Sequence, residues 1–349
     1  MNEVMPPQID VVIPAYNEEA SIGRCLDATL SQSYPPQHMR VLLVDAGCTD
    51  ATIDIARKRM HGDPRVVIVA NRGRRLSTPE ALNAGIERSD AEVVARVDAH
   101  GWPEPDFLSR AAQTLVEGGP DVACVGGRPL AADSSRLGLA FTLARGSRFG
   151  VGGSVYAVQD RLTEVNTVPW GMYRREALVA AGGFDPAMKH GEDEELNWRI
   201  RRAGKRILFD PNVRFRYLPR SDLRAVFRQY RDYGCARARV IRAHPDFLRA
   251  RHLAPAVALT AGAALAVTAP FSRAARLALT TGAGAYAVGA GAAALASARG
   301  SDLSLAPLVA ACFPALHFGY GLGTLMGLTQ LLGRNRALDG PRSLSSSSI

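Results

Sequence analysis

Ile9-Asp10-Val11-Val12-Ile13-Pro14-Ala15-Tyr16-Asn17-Glu18-Glu19 decides the reading of the fold: a short apolar run is stopped by a proline, and helical spacing begins just beyond it. From Glu18 to Ser33, the residues Ile22, Cys25, Leu26, Thr29 and Leu30 fall on one helical face. The pattern then repeats. Arg40 to Asp45 is a second strand, and Thr49 to Met60 a helix with Ile53, Ala56 and Met60 inward. Val66 to Ala70 is a third strand, and Pro79 to Glu87 a helix with Thr78 as N-cap and Pro79 at its first position. Glu92 to Asp98, Pro105 to Val116 and Val122 to Val125 continue as strand, helix and strand. Continuous apolar strands between helices specify an α/β fold with a mostly parallel sheet flanked by helices. Ligands of such sheets bind beyond the strands' carboxyl ends, where Asp45 and Asp98 fall. A dinucleotide site would put Gly-x-Gly-x-x-Gly in the first turn; Pro14 to Glu18 contains no glycine, which argues against NAD and FAD chemistry.

The 349 residues suffice for more than one domain. The two ends of the chain differ in character. From Leu253 charges nearly vanish, and three apolar stretches follow, Leu253 to Ala269, Leu277 to Ala298 and Leu303 to Leu332. Each reaches or approaches the roughly 20 residues that span a bilayer. Of the net charge of +9, a share of +8 lies between Arg214 and His252, which hold eleven arginines against three aspartates. Because this segment runs straight into apolar sequence, an anionic membrane surface fits it better than nucleic acid. Asp222 to His244 reads as an amphipathic helix suited to a membrane interface, with Leu223, Val226, Phe227 and Tyr230 on one face and Arg224, Arg228 and Arg231 off it. Cys25, Cys48, Cys124, Cys235 and Cys312 are scattered and odd in number, which argues against a zinc site or a disulfide framework and suits a reducing compartment. The first ten residues lack the apolar core and basic flank of a signal peptide, so the N-terminal part is expected in the cytoplasm. The expected division is a catalytic domain over 1–220, a basic interface region over 221–252, membrane helices over 253–333 and a Ser-rich disordered tail over 334–349.

Val97-Asp98-Ala99-His100-Gly101-Trp102 carries the sharpest chemical signal. Alternate strand residues face one way, so Asp98 and His100 are expected to grip one divalent ion, Mn²⁺ or Mg²⁺, that neutralises a diphosphate. His190 is a further ligand or a surface histidine. A second concentration of carboxylates, Asp185 with Glu192, Asp193, Glu194 and Glu195, exceeds what a helix N-terminus needs. Leu196 and Ile200 behind it read as core.

In order and spacing these motifs resemble the family 2 inverting glycosyltransferases over about residues 9 to 250. The carriers are Pro14-Ala15-Tyr16-Asn17-Glu18, Asp45-Ala46-Gly47-Cys48-Thr49-Asp50, Asn83-Ala84-Gly85-Ile86, Asp98-Ala99-His100, Gly182-Gly183-Phe184-Asp185 and Glu192-Asp193-Glu194-Glu195-Leu196. The resemblance implies a GT-A-type nucleotide-sugar-binding sheet. It implies donor contacts from Pro14, Ala15, Tyr16, Glu18, Asp45 and Asp98, with Arg72, Arg74 or Arg75 on the diphosphate, since arginine forks match phosphate oxygens. His100 stands where the family has the second Asp of its metal motif. Asp193 inherits the role of catalytic base, needed because the acceptor hydroxyl must lose its proton as it attacks. Trp170, Glu192 and Arg175 fall on the acceptor side, Trp170 either stacking on a sugar or packing in the core.

Gln229-Tyr230-Arg231-Asp232-Tyr233 replaces the Gln-x-x-Arg-Trp of processive members, which points to single-sugar transfer. Val97-Asp98-Ala99-His100, Val168-Pro169-Trp170-Gly171 and Asp193-Glu194-Glu195-Leu196-Asn197-Trp198-Arg199 are most similar to the bacterial succinoglycan-type exopolysaccharide glucosyltransferases. That likeness implies transfer of a hexose, glucose first, from a UDP-sugar to a polyprenyl-linked saccharide. The enzyme would be a multi-pass protein of the bacterial inner membrane with a cytoplasmic catalytic domain. Its rivals are a polyprenyl-phosphate glycosyltransferase, for which Arg174-Arg175 would supply acceptor-side cations, a sugar nucleotidylyltransferase and a non-catalytic membrane scaffold of the same fold.

Overall fold

The computed structural model describes residues 5–333 apart from 72, 133–134, 153–158, 189 and 221. Arg72 and the tail 334–349, expected to be disordered, lie outside the described residues. The described residues form two compact units, one of residues up to 130 with 159–217, the other of 131–152 with 218–333.

In the first unit the strands are β1 (Ile9–Ala15), β2 (Met39–Asp45), β3 (Val66–Val69), β4 (Val93–Arg96), β5 (Gly101–Pro103), β6 (Val122–Ala131), β7 (Thr163–Glu164), β8 (Met172–Arg174) and β9 (Arg206–Tyr217). The helices are α1 (Ile22–Leu30), α2 (Thr52–Met60), α3 (Thr78–Arg88), α4 (Phe107–Glu117), α5 (Arg175–Ala180) and α6 (Glu192–Arg202). One sheet runs β3-β2-β1-β4-β8-β6-β9-β5, with β7 on β9. Its first four strands are parallel, and β8 enters antiparallel between β4 and β6. Val11, Ile13, Val41, Leu43, Val93 and Ala95 pack on Ile22 and Leu26 of α1 and on Phe107 and Leu108 of α4, all buried. On the opposite face α3 lies so close to β1 that a methyl on Gly85 would sit 2.3 Å from Val12 Cγ1. The glycine of Asn83-Ala84-Gly85-Ile86 is therefore a packing requirement.

The expected elements are present with shifted ends. The N-cap of α3 is Ser77, one residue before the expected Thr78, because Glu80 reaches back to accept from Ser77 N at 2.8 Å and completes a capping box. β1 continues through Pro14, in register with Val44 of β2. On its other edge the pairing with β4 stops at Val12↔Arg96. Pro14 has no N–H with which to extend that ladder. After Arg96 the chain turns, and Gly101 N donates to the Asp98 carbonyl at 3.0 Å. Asp98-Ala99-His100 is therefore a tight turn, where strand alternation was expected.

The second unit is helical. The described residues of 135–152, expected in the catalytic domain, belong to it: the helix Arg136–Gly146 buries Ala140, Phe141 and Ala144 among Val309, Cys312, Phe313 and Leu316. Three helical segments among the described residues, Ala250–Thr268, Arg273–Ala298 and Leu303–Gln330, are long and apolar enough to cross a membrane, with mean hydropathies of 1.3, 1.2 and 1.5. The basic helix Leu223–Ala243 runs along the third of them. Methyls on Gly319 and Gly323 would sit 2.7 Å from the Phe227 carbonyl oxygen and 1.9 Å from that of Arg231, and one on Gly327 2.5 Å from Ala238 Cβ. Glycines every fourth residue thus let the two backbones touch. Val226 and Tyr230, expected to face lipid, are buried in this protein contact instead.

Candidate active site

At the carboxyl ends of β1 and β2 the two following turns clasp each other. Asn17, in the left-handed region at φ 54°, accepts from Thr49 N at 2.9 Å, while Glu18 N donates to Thr52 Oγ1 at 2.7 Å and Glu19 accepts from Ala51 N at 3.1 Å. Asp45 Oδ1 accepts from Gly47 N and Cys48 N at 2.9 and 2.8 Å. The basic loop lies directly on that turn: a methyl on Gly47, at φ 94°, would be 3.1 Å from both the Arg74 carbonyl oxygen and Arg75 Cα. Arg75 stacks over the Tyr16 ring at 4.0 Å, and Arg74 pairs with Glu80 at 2.9 Å. Pro14, Ala15, Tyr16, Asp45, Arg74 and Arg75 therefore share one sheet edge.

The centre of the site is a residue outside the expected set. Arg96 ends β4 with its side chain only 8% exposed, and its guanidinium meets three carboxylates. Nε donates to Asp98 Oδ1 at 2.8 Å, and Nη1 donates to Glu192 Oε1 at 3.0 Å and to Asp193 Oδ1 at 2.5 Å. Glu192 and Asp193 arrive there because α6 is capped by Gly191, whose φ of 76° suits glycine, and its first turn favours anions. One cation cannot neutralise three buried carboxylates, so the proton is held more tightly on one of them. Burial pushes the Asp193 carboxyl up to about 7; Arg96 opposes the rise, and the neighbouring Glu192 and Asp98 charges add to it. Burial would also raise Asp98, but Arg96, His100 and the Trp170 indole N–H outweigh it and hold that carboxyl below its ordinary range.

The last residue of the acidic run, Glu195, works elsewhere. Glu195 is buried and pairs with Arg199 at 2.6 Å, and Arg199 Nη2 donates to the Gly183 carbonyl at 2.7 Å. Asn83 clamps Phe184 from α3, accepting from its N–H at 2.8 Å and donating to its carbonyl at 2.7 Å. Gly182-Gly183-Phe184-Asp185 is thus a structural clasp behind α6. Leu196 and Ile200 are core, as expected.

Two residues expected on the acceptor side take other places. Trp170 is buried, stacked on Phe215 at 4.1 Å and edge-on to Phe107 at 6.5 Å. Its indole face is taken by the core, and its N–H serves Asp98. Arg175 lies at the opposite end of β4: its N–H donates to the Glu92 carbonyl, and its charge acts on Asp90. Arg174 is spent on the carbonyls of Leu115, Gly119 and Val122. Glu192 does lie at the site, beside Asp193.

Among the described residues no three His, Cys, Asp or Glu side chains gather as a ready cation site. Asp98, 18% exposed, and His100, 59% exposed, offer a carboxylate and an imidazole on one turn, and His100 Nδ1 lies 3.3 Å from Glu18 Oε1. This donor set fits a divalent cation whose remaining ligands are diphosphate oxygens. His190 is exposed on the approach to α6.

The pattern described as Glycosyl transferase family 2 matches residues 10–178. The succinoglycan biosynthesis protein ExoA of Rhizobium meliloti is 33% identical over 74% of this chain and 78% of its own length. The chain belongs to glycosyl transferase family 2. It is a glycosyltransferase with a GT-A-like fold, similar to enzymes of polysaccharide and glycan synthesis. A dolichyl N-acetylglucosaminyl phosphate glucuronosyltransferase of Methanococcus voltae is 28% identical over 67% of this chain and 74% of its own. The fold is also that of the mannosyltransferase PcManGT from Pyrobaculum calidifontis, solved in complex with GDP-Man and Mn²⁺, at a TM-score of 0.65, 24% identity and coverage of 94% of this chain and 88% of that one.

Proposed function

We propose that this glycosyltransferase moves one hexose, glucose first among candidates, from a UDP-sugar to a polyprenyl-diphosphate-linked saccharide at a bacterial inner membrane, with inversion at the anomeric carbon. The observation that carries the reading is the carboxyl of Asp193, pushed up to about 7 at the carboxyl edge of the sheet, where a general base works best near neutral pH. Asp193 takes the proton of the acceptor hydroxyl as its oxygen bonds to the anomeric carbon. The bond from that carbon to the diphosphate oxygen breaks, and its electron pair leaves with UDP. Tyr16, Asp45 and the Pro14-Ala15 backbone hold the nucleotide, with Glu18 beside the Asp98–His100 turn. Arg74 or Arg75 meets the diphosphate. A divalent cation, where bound by Asp98 and His100, supplies charge neutralisation for the departing diphosphate.

The likeness to ExoA supports exopolysaccharide synthesis, and the dolichyl-phosphate sugar named for the archaeal relative supports a lipid-linked acceptor. The apolar helices support a multi-pass anchor. Transfer to a bare polyprenyl phosphate is less well supported, since Arg174 and Arg175 lie away from the site. The test is a screen of UDP-glucose, UDP-galactose and GDP-mannose with bacterial lipid extract, followed by the mass of the lipid product. A diphosphate-linked saccharide longer by one hexose from a UDP donor is expected. A lipid monophosphate carrying a single sugar, or transfer from GDP-mannose alone, would overturn the reading.

A further inference from the structure

Asp98 and Asp193 share one buried partner for which the transfer chemistry itself has no task. Arg96 stays charged at any physiological pH and can act neither as base nor as nucleophile. Its two donor edges are divided between the two sides of the site: Nε holds Asp98, and Nη1 holds Glu192 and Asp193. The frame around this fork is fixed. Arg96 N donates to the Gly171 carbonyl at 3.1 Å, tying β4 to the start of β8. Trp170 grips Asp98 from the other side and is held at φ 49°, in the left-handed region, by its packing on Phe215 and Phe107. A methyl on Gly101 would lie 2.6 Å from that indole, so the turn after Asp98 can close only over glycine.

We propose that Arg96 is a positioning residue for sugar transfer, its fork fixing the donor-side carboxylate Asp98 and the acceptor-side base Asp193 at one separation and orientation. The proposal rests on the assignment of Asp193 as base. The groups facing Asp193 are Arg96 from β4, Asp98 from the turn, Glu192 from its own helix, and Tyr173 and Cys124 from β8 and β6. Among the described residues Arg96 is the cation that lies against all three carboxylates.

The test compares R96K and R96M in the full-length, detergent-solubilised enzyme, with UDP-glucose and bacterial lipid extract. R96M is expected to lower kcat by at least about a hundredfold, with a smaller change in the KM for UDP-glucose, as expected when a base loses its alignment. Its rate should also rise with pH at a midpoint well above that of the wild type, since the carboxylates have lost their counter-charge. R96K keeps the charge but presents no fork, and should recover about tenfold of the loss. R96K as active as the wild type, or an R96M whose kcat falls while the midpoint stays put, would overturn the proposal. Should R96M fail to fold, R96K carries the test alone: a kcat about tenfold below wild type supports the role, and an unchanged kcat removes it. D193N separates the two assignments. An active D193N removes the base itself, whereas an inactive D193N beside a fully active R96K removes only the role of Arg96.

Discussion

Two arginines sit at opposite ends of the same sheet and make the same kind of contact with different results. At the amino end Arg40 forks onto Asp10 at 2.8 and 2.7 Å and reaches Asp90 at 2.5 Å. Asp90 is 87% exposed, so water shares the surplus negative charge and the cluster is a clasp between β1 and β2. At the carboxyl end Arg96 faces three carboxylates, none of them more than 24% exposed. There water takes up less of the surplus, and Asp193 holds its proton up to higher pH. The number of carboxylates and their burial turn one motif into a structural tie at one edge and a titrating group at the other.

This contrast can be broken at several points. D193N should lower transfer by about a thousandfold while leaving UDP-sugar binding nearly intact, as read by turnover beside calorimetric titration. The same variant tests the stability side. Because the carboxyl is raised to about 7, the native state keeps a proton that the unfolded chain releases, so stability falls as pH rises from about 4 to about 7. D193N should remove that decline, which thermal unfolding at a series of pH values would show. G323L forces a side chain against the Arg231 backbone and should cost about 3 kcal/mol of the helical unit's stability, measured by unfolding in detergent, without altering the pH dependence of transfer. D98A, or chelator, should weaken donor binding by an order of magnitude or so, and unchanged activity in excess chelator would sink the metal role. D10N is the smallest change: it should cost about 1 kcal/mol of stability and leave the rate per folded molecule unaltered, since the clasp at the amino end does no chemistry.

The alternation of β and α was legible because buried strands must be apolar and the helices carry their own period. Element ends were less so, because they depend on partners. β4 stops at Arg96 where Pro14 on the neighbouring strand runs out of donors, and nothing within residues 92–98 announces it. Arg96 did leave a signal, a charge inside Val93-Val94-Ala95-Arg96-Val97, since a charge in a buried strand requires a partner. Two of its three partners, Glu192 and Asp193, come from a distant helix and could not be named. Arg175 follows the resemblance to the acceptor side, whereas β8 runs antiparallel to β4 and carries it to the far end of the sheet. The spacing of Gly319, Gly323 and Gly327 was visible, but that their partner is the basic helix follows only from the packing.

The central claim is that crowding around Arg96 leaves Asp193 holding a proton that it must lose to act as base. The pH dependence of kcat/KM for the acceptor tests it most directly, because that ratio reports groups of the enzyme form that meets the acceptor. The account predicts a rise of about tenfold per pH unit below a midpoint near 7, levelling off above it. A rate that stays level from about pH 5 to pH 8 would contradict it, because Asp193 would then titrate like an ordinary exposed carboxylate.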